Sequence, residues 1–360
     1  MAPLLLHVTG ARPNFPKAAP VIAALKEHDV NQLLVHTGQH YDDAMSEVFF
    51  RQLQLPRPDV NLGVGSGSQG RQTAAILERL EDLFLKRRPD LVIVYGDVNS
   101  TVAAALVAAK LGIAVAHVEA GLRSFDRTMP EEINRVVTDQ LSDLLLVTSR
   151  DAIDHLRNEG VLAGRIHFVG NPMIDTLLAH LDRFDAGSAR REYRITGPYV
   201  VVTIHRPSNV DNPADAAALV SALHAVAEQA QVVLPLHPRG RQRFAAAGLL
   251  DHPRLLVIDP MGYFEFLGLV RGAAAVITDS GGVQEETTVM GIPCLTLRPN
   301  TERPVTITCG TNRLVTREDL GDRVRETLAR GKLTCWPTPP LWDGQAGPRI
   351  AEVIAEAVDA

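Results

Sequence analysis

Short, uninterrupted runs of Val, Ile, Leu and Ala recur along the chain, and longer amphipathic segments separate them. The candidate strands are Leu4–Val8, Leu33–Thr37, Leu91–Tyr95, Ala114–Val118, Leu144–Thr148, Tyr199–Ile204, Val232–Leu236, Leu255–Ile258, Ala273–Thr278 and Pro293–Leu297. Helical patterns such as Arg71–Arg87 and Ala214–Gln229 lie between most of them. Continuous apolar strands that alternate with helices are typical of buried parallel sheets. The sequence therefore predicts an α/β protein with doubly wound, Rossmann-like sheets.

The series of strands stops and restarts between Gly170 and Pro198, where a helical segment runs into turn-forming residues. With 360 residues, the chain is long enough for two domains of roughly 100–200 residues each. We predict a first domain over residues 1–170, a second over residues 171–345, and a cleft between them. A last helix, in residues 346–360, follows a Pro/Gly-rich stretch and is expected to pack back onto the first domain.

The charge and the cysteine content argue against several classes of protein. The formal net charge of −6 disfavours nucleic-acid binding, because such domains are usually strongly basic. The three cysteines form no C-x-x-C pair and point to a reducing compartment. The N-terminal apolar run is too short for a signal peptide, and no stretch reaches the ~18 apolar residues of a membrane span. We expect a cytoplasmic protein with no nucleic-acid or membrane partner.

One glycine-rich segment, Asp279–Glu286, lies between a predicted strand and a predicted helix. Glycines at such a turn let backbone N–H groups approach a ligand, and the helix N-terminus favours a phosphate. A carboxylate one turn later, Glu285 or Glu286, is placed to accept hydrogen bonds from ribose hydroxyls. The pattern predicts a nucleotide-diphosphate site. An ordinary helix capped by Asp279 or Ser280 is the alternative.

A second glycine-rich segment, Gly65–Gly70, matches the G-x-G-x-x-G pattern of dinucleotide sites. Such a fingerprint should follow a buried strand. This one follows Pro56–Asn61, which we interpret as a loop, so we do not predict NAD binding here.

Polar residues follow the predicted strands of the first half, at the strand ends where ligands bind in open α/β sheets. Arg12 and Lys17 suit either a pyrophosphate or a solvated basic loop. Asp97 is either a functional carboxylate or a helix N-cap. Glu119 stands in an otherwise apolar strand and shares a face with His117 if the strand is regular. Because a buried carboxylate is costly without a partner, we expect Glu119 to be functional.

Further candidates lie at a helix start and in the second half. Glu131 and Glu132 open a helix, where acidic residues also stabilise the helix dipole for purely structural reasons. The pair His205–Arg206 and the residue His237 end two predicted strands, and this repetition favours a function over a structural role. Arg303 suits a bidentate phosphate contact or an exposed loop.

Several common chemistries have no signature in this sequence. The H-E-x-x-H motif, a close Cys/His set, the Walker A loop and the G-x-S-x-G elbow are all missing. We therefore expect no metal and no cofactor. Anion-binding groups in the second half and carboxylates in the first suggest proton transfer on a nucleotide-linked substrate.

Together, these motifs resemble the non-hydrolysing UDP-N-acetylglucosamine 2-epimerases. The resemblance covers nearly the whole chain, through Thr9–Pro13, Gly38–His40, Gly96–Asp97, His117–Arg123, Pro130–Arg135, Ile204–Arg206, Asp279–Glu286, Thr301–Pro304 and Asp343–Ala346. It implies a two-domain fold like that of GT-B glycosyltransferases, a homodimer and a UDP-sugar substrate. It also implies reversible conversion of UDP-GlcNAc to UDP-ManNAc. The family is understood to eliminate UDP, leaving bound 2-acetamidoglucal, and to add it back with the C2 proton on the opposite face.

The resemblance also implies roles for individual residues. The acid/base candidates are Asp97, Glu119 and Glu131, and His205 would sit near the leaving diphosphate. The residues that would hold the substrate are Arg12, Lys17, Arg135, Arg206, Phe266 (beside uracil), Ser280, Gly281, Gly282, Glu286 and Arg303. A regulatory site for a second UDP-GlcNAc would comprise Gln39, His40, Arg71, Gln72 and His237. Which carboxylate takes which proton stays open.

The chain departs from the family's pattern at Asn14, where many members carry glutamate, and at residues 207–209. The second departure leaves the regulation and the preferred sugar open. A hydrolysing epimerase that releases UDP and ManNAc is a close alternative, because the two types share most motifs. A GT-B glycosyltransferase and a nucleotide-sugar sensor without turnover are more distant alternatives, and the three carboxylates disfavour both.

Overall fold

The computed structural model describes residues 2–39, 49–206, 209, 212–236, 241, 244–331 and 333–359. It divides into two compact units, Met1–Ala179 with Pro340–Ala360, and His180–Pro339. Each unit contains a parallel sheet whose strands alternate with helices along the chain. The predicted fold class is therefore confirmed.

The first unit is built on one parallel sheet. Its strands in the described residues are β1 (Leu4–Thr9), β2 (Asn31–His36), β3 (Val60–Asn61), β4 (Leu91–Tyr95), β5 (Ala114–Ala120), β6 (Leu144–Val147) and β7 (Ile166–Phe168). Their order is β3-β2-β1-β4-β5-β6-β7. The order reverses between β1 and β4, and ligands bind beyond the carboxyl ends of the strands at such a switch point.

Helices cover this sheet. They are α1 (Phe15–Leu25), α2 (Gln69–Arg87), α3 (Asn99–Lys110), α4 (Pro130–Leu141), α5 (Arg150–Asn158) and α6 (Pro172–Ala179). On one face of the sheet, buried Val8 and Val94 pack with Ile76, Leu80 and Phe84 of α2. The spacing of these three residues, four apart along α2, places them on one side of that helix and explains why it lies on the sheet.

The second unit repeats this plan. Its strands in the described residues are β8 (Tyr199–Thr203), β9 (Gln231–Pro235), β10 (Leu255–Ile258), β11 (Ala275–Thr278), β12 (Cys294–Leu297) and β13 (Asn312–Val315). Their order is β10-β9-β8-β11-β12-β13, so the switch point lies between β8 and β11. The helices are α7 (Ala186–Glu192), α8 (Pro213–Ala227), α9 (Tyr263–Arg271), α10 (Gly281–Met290), α11 (Val305–Thr308) and α12 (Leu320–Arg330).

The C-terminal helix, α13 (Ala346–Asp359), belongs to the first unit and packs against α1 and α6. Its start is held by Asp175 of α6, whose carboxylate accepts a hydrogen bond from the Gly347 N–H at 2.6 Å. Just before it, Trp342 Nε1 donates to Thr148 O at 2.9 Å. These contacts explain why the first unit includes residues on both sides of the predicted boundaries at 170 and 345.

Three short strands differ from the sequence-based expectation. Strands β3, β7 and β13 have two to four residues each and were not predicted. Strand β3 lies at the end of Pro56–Asn61, which we interpreted as a loop. Such strands lack a long apolar run, and pairing with a neighbour defines them instead, as Val60 pairs with Val35.

Candidate functional site

The loop after β1 is fixed in place by the buried side chain of Asn14. Its Oδ1 accepts hydrogen bonds from the backbone N–H groups of Gly10 (2.9 Å) and Ala11 (3.0 Å), and its Nδ2 donates to Tyr95 O (2.8 Å). A carboxylate at position 14 has no N–H to donate to Tyr95. Asn14 therefore ties the loop that carries partly exposed Arg12 to the end of β4, at the switch point of the sheet.

Lys17 and Glu119 form an ion pair beside this loop, and only 5% and 2% of their surfaces are exposed. Glu119 has a φ of +74° and lies where the register of β5 shifts between Val118 and Ala120. A bulge of this kind re-aims a side chain, and a positive φ is costly for a residue with a Cβ. The prediction that His117 and Glu119 share a face assumed a regular strand, and β5 is irregular at this point.

Gly96 makes room for this ion pair. Its φ is +63°, and a Cβ at this position would lie 3.0 Å from both Glu119 Oε2 and Lys17 Nζ. A residue without a side chain is therefore favoured between β4 and Asp97.

Asp97 follows Gly96 and pairs with Arg135 of α4. The Asp97 side chain is 24% exposed, whereas that of Arg135 is 1% exposed. Arg135 Nη2 also donates to Glu132 at 2.6 Å, and Glu132 accepts hydrogen bonds from the N–H groups of Ser124 (2.9 Å) and Phe125 (2.8 Å). Burial opposes ionisation of Glu132, but these donors outweigh it and lower its pKa. Arg135, predicted to hold substrate, thus lies between two carboxylates and orients Asp97.

His117 anchors the turn at Gly96 and Asp97 through contacts of both ring nitrogens. Its Nδ1 lies 2.6 Å from Asp139 Oδ1, and its Nε2 lies 2.8 Å from Gly96 O. Asp139 also accepts a hydrogen bond from the Gly121 N–H (3.1 Å) and pairs with Arg123 (2.7 Å). Burial raises the pKa of Asp139, but the His117 and Arg123 contacts outweigh it and hold the pKa below its usual value. His117 is therefore a buried structural residue of this loop.

Sequence reasoning gave Glu132 only a helix-dipole role as its structural interpretation, and it did not single out Asp139. Both are buried, whereas the candidate Glu131 is exposed and makes no hydrogen bond or ion pair within the described ranges. The signal was available in the spacing: positions 132, 135 and 139 lie three and four residues apart and so share one face of α4. Polar residues at that spacing on the face that meets a sheet indicate a buried network.

In the second unit, the segment Asp279–Glu286 spans the end of β11 and the first turns of α10. Ser280 occupies the N-cap position, but its side chain makes no capping hydrogen bond. Gly281 and Gly282 form the first turn, where backbone N–H groups have no partner within the helix. The segment thus presents the N-terminus of α10 without the side-chain cap of the alternative interpretation.

Asp279 does not cap α10 either, because its carboxylate points to the residues that follow β8. It accepts hydrogen bonds from the N–H groups of His205 (3.1 Å) and Arg206 (2.9 Å) and from Asn209 Nδ2 (3.0 Å). Its Oδ1 also lies 2.8 Å from His205 Nδ1. Asp279 therefore joins the two strand ends at the switch point of the second sheet.

The two arginines of this unit that were predicted to hold substrate are held by acceptors of the protein. Arg303 is 6% exposed and pairs with Glu302 and, at 3.0 Å, with Glu285. Its guanidinium covers Gly281, where a Cβ would meet Arg303 Nη1 at 2.2 Å. Arg206 Nε donates to Asp279 O at 3.0 Å. Both side chains thus lie against the start of α10, and both pair with Glu302.

Glu286 is buried and lies beside Tyr263. Phe266 of α9 is partly buried and packs against an apolar cluster of the second unit. Burial and the neighbouring Glu285 charge raise the pKa of Glu286 to about 8, although hydrogen bonding with Tyr263 acts in the opposite direction. Glu286 is therefore protonated at neutral pH and can donate as well as accept a hydrogen bond, which suits the ribose contact predicted for it.

The raised pKa of Glu286 predicts a loss of stability with rising pH. Its folded pKa, about 8, lies above the unfolded value of 4.5, so its contribution is present below pH 4.5 and is lost as the pH rises through about 8. Glu286→Gln cannot ionise. We expect the wild type to lose at least a few °C of melting temperature relative to this variant between about pH 5 and about pH 9. The exposed Glu192→Gln variant is the control, and equal slopes for Glu286→Gln and wild type would contradict the assignment.

The predicted regulatory residues are only partly described. His40 and His237 lie outside the described residues. Gln39 and Gln72 are buried, and Gln72 Nε2 donates to Gln39 O at 3.1 Å. Arg71 is exposed in the first turn of α2. The regulatory site stays a prediction.

In the described part of the chain, no helix is both long and apolar enough to cross a membrane. No group of three or more His, Cys, Asp or Glu residues in the same ranges is arranged to hold a metal ion.

Comparison with known proteins identifies the family. Residues 23–355 match the model of the family described as UDP-N-acetylglucosamine 2-epimerase. The chain belongs to this family. The predicted family, and with it the prediction of an isomerase, is confirmed.

Similar proteins cover nearly the whole chain. It is 40% identical over 359 residues to the UDP-N-acetylglucosamine 2-epimerase of Methanocaldococcus jannaschii, with 96% of this chain and 97% of the relative covered. It is 43% identical over 361 residues to the UDP-2,3-diacetamido-2,3-dideoxy-D-glucuronate 2-epimerase of Pseudomonas aeruginosa, with 98% and 99% covered. The crystal structure of the M. jannaschii UDP-GlcNAc 2-epimerase in complex with UDP-GlcNAc and UDP matches with a TM-score of 0.91, covering 98% of this chain and 99% of that one.

Proposed function

We propose that the protein interconverts the C2 epimers of a UDP-2-acetamido sugar, with UDP-GlcNAc and UDP-ManNAc as the substrate pair. The observation that carries this proposal is the match to epimerases over nearly the full chain. Asp97 and Glu119, at neighbouring strand ends of the first unit, are each paired with a cation, Arg135 and Lys17. The N-terminus of α10 supplies N–H groups for a diphosphate.

The C2 proton of such a sugar is not adjacent to a carbonyl, so direct removal as a proton is difficult. In the proposed reaction a carboxylate takes the C2 proton while the C1–O bond to UDP breaks, and the electron pair of the C2–H bond forms the C1=C2 double bond. UDP then adds back to C1 while a proton is delivered to the opposite face of C2. Asp97, Glu119 and Glu131 would share these transfers, and His205 with Ser280, Gly281 and Gly282 would stabilise departing UDP.

A second sugar is favoured by one specific observation. The relative from P. aeruginosa is 43% identical to this chain, and its name gives a 2,3-diacetamido glucuronate as the sugar. Both sugars carry UDP and a 2-acetamido group, so the chemistry at C2 would be the same. The difference lies at C3 and C6, outside the acid/base step.

One experiment separates these possibilities. The protein is incubated in heavy water with UDP-GlcNAc, and in parallel with the UDP-diacetamido glucuronate, and both are followed by proton NMR. Epimerisation predicts loss of the C2 proton signal and appearance of the UDP-linked epimer. Free ManNAc would indicate the hydrolysing alternative. An unchanged C2 proton in both samples over many hours would exclude epimerisation and favour a glycosyltransferase or a sensor.

We also propose that the protein is a homodimer that associates through the first unit. Ile133 and Val137 are 45% and 37% exposed one turn apart on α4, and Phe125 nearby in sequence is 72% exposed. Exposed apolar residues that share a face are typical of interaction surfaces. Light scattering should give twice the chain mass of 39.1 kDa, and Ile133→Lys should shift it to the single-chain mass. A wild type of single-chain mass would refute the dimer.

A further inference from the structure

We infer that Asp279 is a positioning residue for His205: it holds the ring proton on Nδ1 and leaves Nε2 as the nitrogen that meets a ligand. This inference rests on the proposed function for the role of His205 and adds the group that prepares it. Both residues belong to the second unit, where parallel pairing of Thr278 with Thr203 brings the following residues of β11 and β8 together.

Hydrogen-bond chemistry determines the tautomer. His205 Nδ1 lies 2.8 Å from Asp279 Oδ1, and an ionised carboxylate only accepts. Nδ1 must therefore carry the proton. His205 Nε2 has no hydrogen-bond partner within the described ranges, and the side chain is 63% exposed, so this nitrogen is accessible.

The surroundings of Asp279 keep it ionised. Its side chain is fully buried, and every hydrogen-bond contact described for the carboxylate comes from a donor: the N–H groups of His205 and Arg206, Asn209 Nδ2 and His205 Nδ1. Burial raises the pKa of Asp279, but the contacts with His205, Arg206 and Asn209 outweigh it and lower the pKa overall. Such a buried carboxylate costs free energy, and the helix that follows does not use it as a cap.

This arrangement suits a histidine that acts on a leaving diphosphate. If Nε2 gains a proton, the adjacent carboxylate stabilises the positive ring, and Nε2–H can donate to a phosphate oxygen. In the other tautomer, Nε2 carries the proton and Nδ1 is unprotonated. The ring then donates to the ligand as a neutral group and lacks the positive charge that Asp279 would stabilise. Asp279 thus acts on the reaction through His205.

Asp279→Asn tests the inference because neighbouring donors determine which way the new side-chain amide points. The Oδ2 position receives hydrogen bonds from the Arg206 N–H (2.9 Å) and Asn209 Nδ2 (3.0 Å), so the amide oxygen should take it. The amide NH2 group then faces His205 Nδ1 and can only donate, which moves the ring proton to Nε2. A carboxylate-to-amide change that produces the wrong tautomer lowers turnover strongly in serine proteases. We expect kcat to fall at least ~10-fold, with a smaller change in KM.

The tautomer is read directly by long-range proton–nitrogen NMR of the ligand-free protein at alkaline pH, where imidazole rings are neutral. The His205 signal is the one missing from His205→Gln. We expect Nδ1–H in the wild type and Nε2–H in Asp279→Asn. Asn209→Ala, the matched control, removes a donor to Oδ2 and leaves the Nδ1 contact in place, so it should keep Nδ1–H.

Several outcomes would overturn the inference. A wild-type His205 ring protonated on Nε2 would overturn it alone, even if Asp279→Asn did not fold. The inference would also be overturned if Asp279→Asn kept Nδ1–H or kept the wild-type kcat. Because the spectrum needs no substrate, Nδ1–H in a protein that fails to epimerise would refute the proposed function and leave the Asp279–His205 relation standing.

Discussion

Asp97→Asn is expected to lower kcat for epimerisation by about 10²–10⁴-fold while UDP still binds with near wild-type affinity. The amide cannot take or deliver a proton at neutral pH. The change should leave the surroundings intact, because Arg135 keeps its contact with Glu132, and Glu132 keeps the N–H groups of Ser124 and Phe125. The groups proposed to hold UDP, Ser280 to Glu286, lie in the other unit.

The measurement has two parts: turnover by NMR of the sugar epimers, and UDP affinity by calorimetry. Asp82→Asn makes the same change of charge at an exposed position of α2 and should match the wild type in both. Near-normal turnover in Asp97→Asn would remove Asp97 from the acid/base set. A joint loss of turnover and of UDP binding would indicate a structural role instead.

The fold was predictable because its main strands are long enough to leave a continuous apolar run. Strand β4, Leu91–Tyr95, is fully buried and reads as five apolar or aromatic residues, so the periodicity alone identifies it. Strand β3 has two residues, Val60 and Asn61, and exists because it pairs with β2. No local pattern of that length distinguishes a strand from a loop.

The candidate site was predictable as a set of positions but not as a set of partners. Parallel strands place Asp97 and Glu119 at one edge of a sheet, which the sequence pattern indicates. That Lys17 pairs with Glu119 depends on the bulge at φ +74° and on the absence of a Cβ at Gly96. Those are properties of the assembled sheet.

Asp279 illustrates the same limit in the second unit. From sequence it is a candidate helix cap or part of a phosphate-binding turn, because only its neighbours along the chain are known. Its actual partners, His205 and Asn209, are 74 and 70 residues away and reach it because β8 and β11 are adjacent in the sheet. The strand order, which the sequence does not specify, decides the role of the residue.

Glu119→Gln is expected to abolish detectable turnover and also to destabilise the first unit, because it leaves the Lys17 ammonium buried without its carboxylate. Removing one partner of a buried ion pair typically costs about 3–5 kcal/mol. Lys17→Met should destabilise by a similar amount, since it leaves the carboxylate of Glu119 buried without this cation. The double variant has neither charge, so its loss of stability should be clearly smaller than the sum of the two single losses.

The double variant separates stability from chemistry. Guanidinium unfolding followed by circular dichroism gives the stabilities, and loss of the C2 proton in heavy water gives the turnover. If Glu119 transfers a proton, restoring stability in the double variant should restore no turnover, and Glu81→Gln, exposed on α2, should match the wild type in both measurements. A double variant that regained turnover with stability would show that Glu119 serves only to hold Lys17 and the bulge of β5 in place.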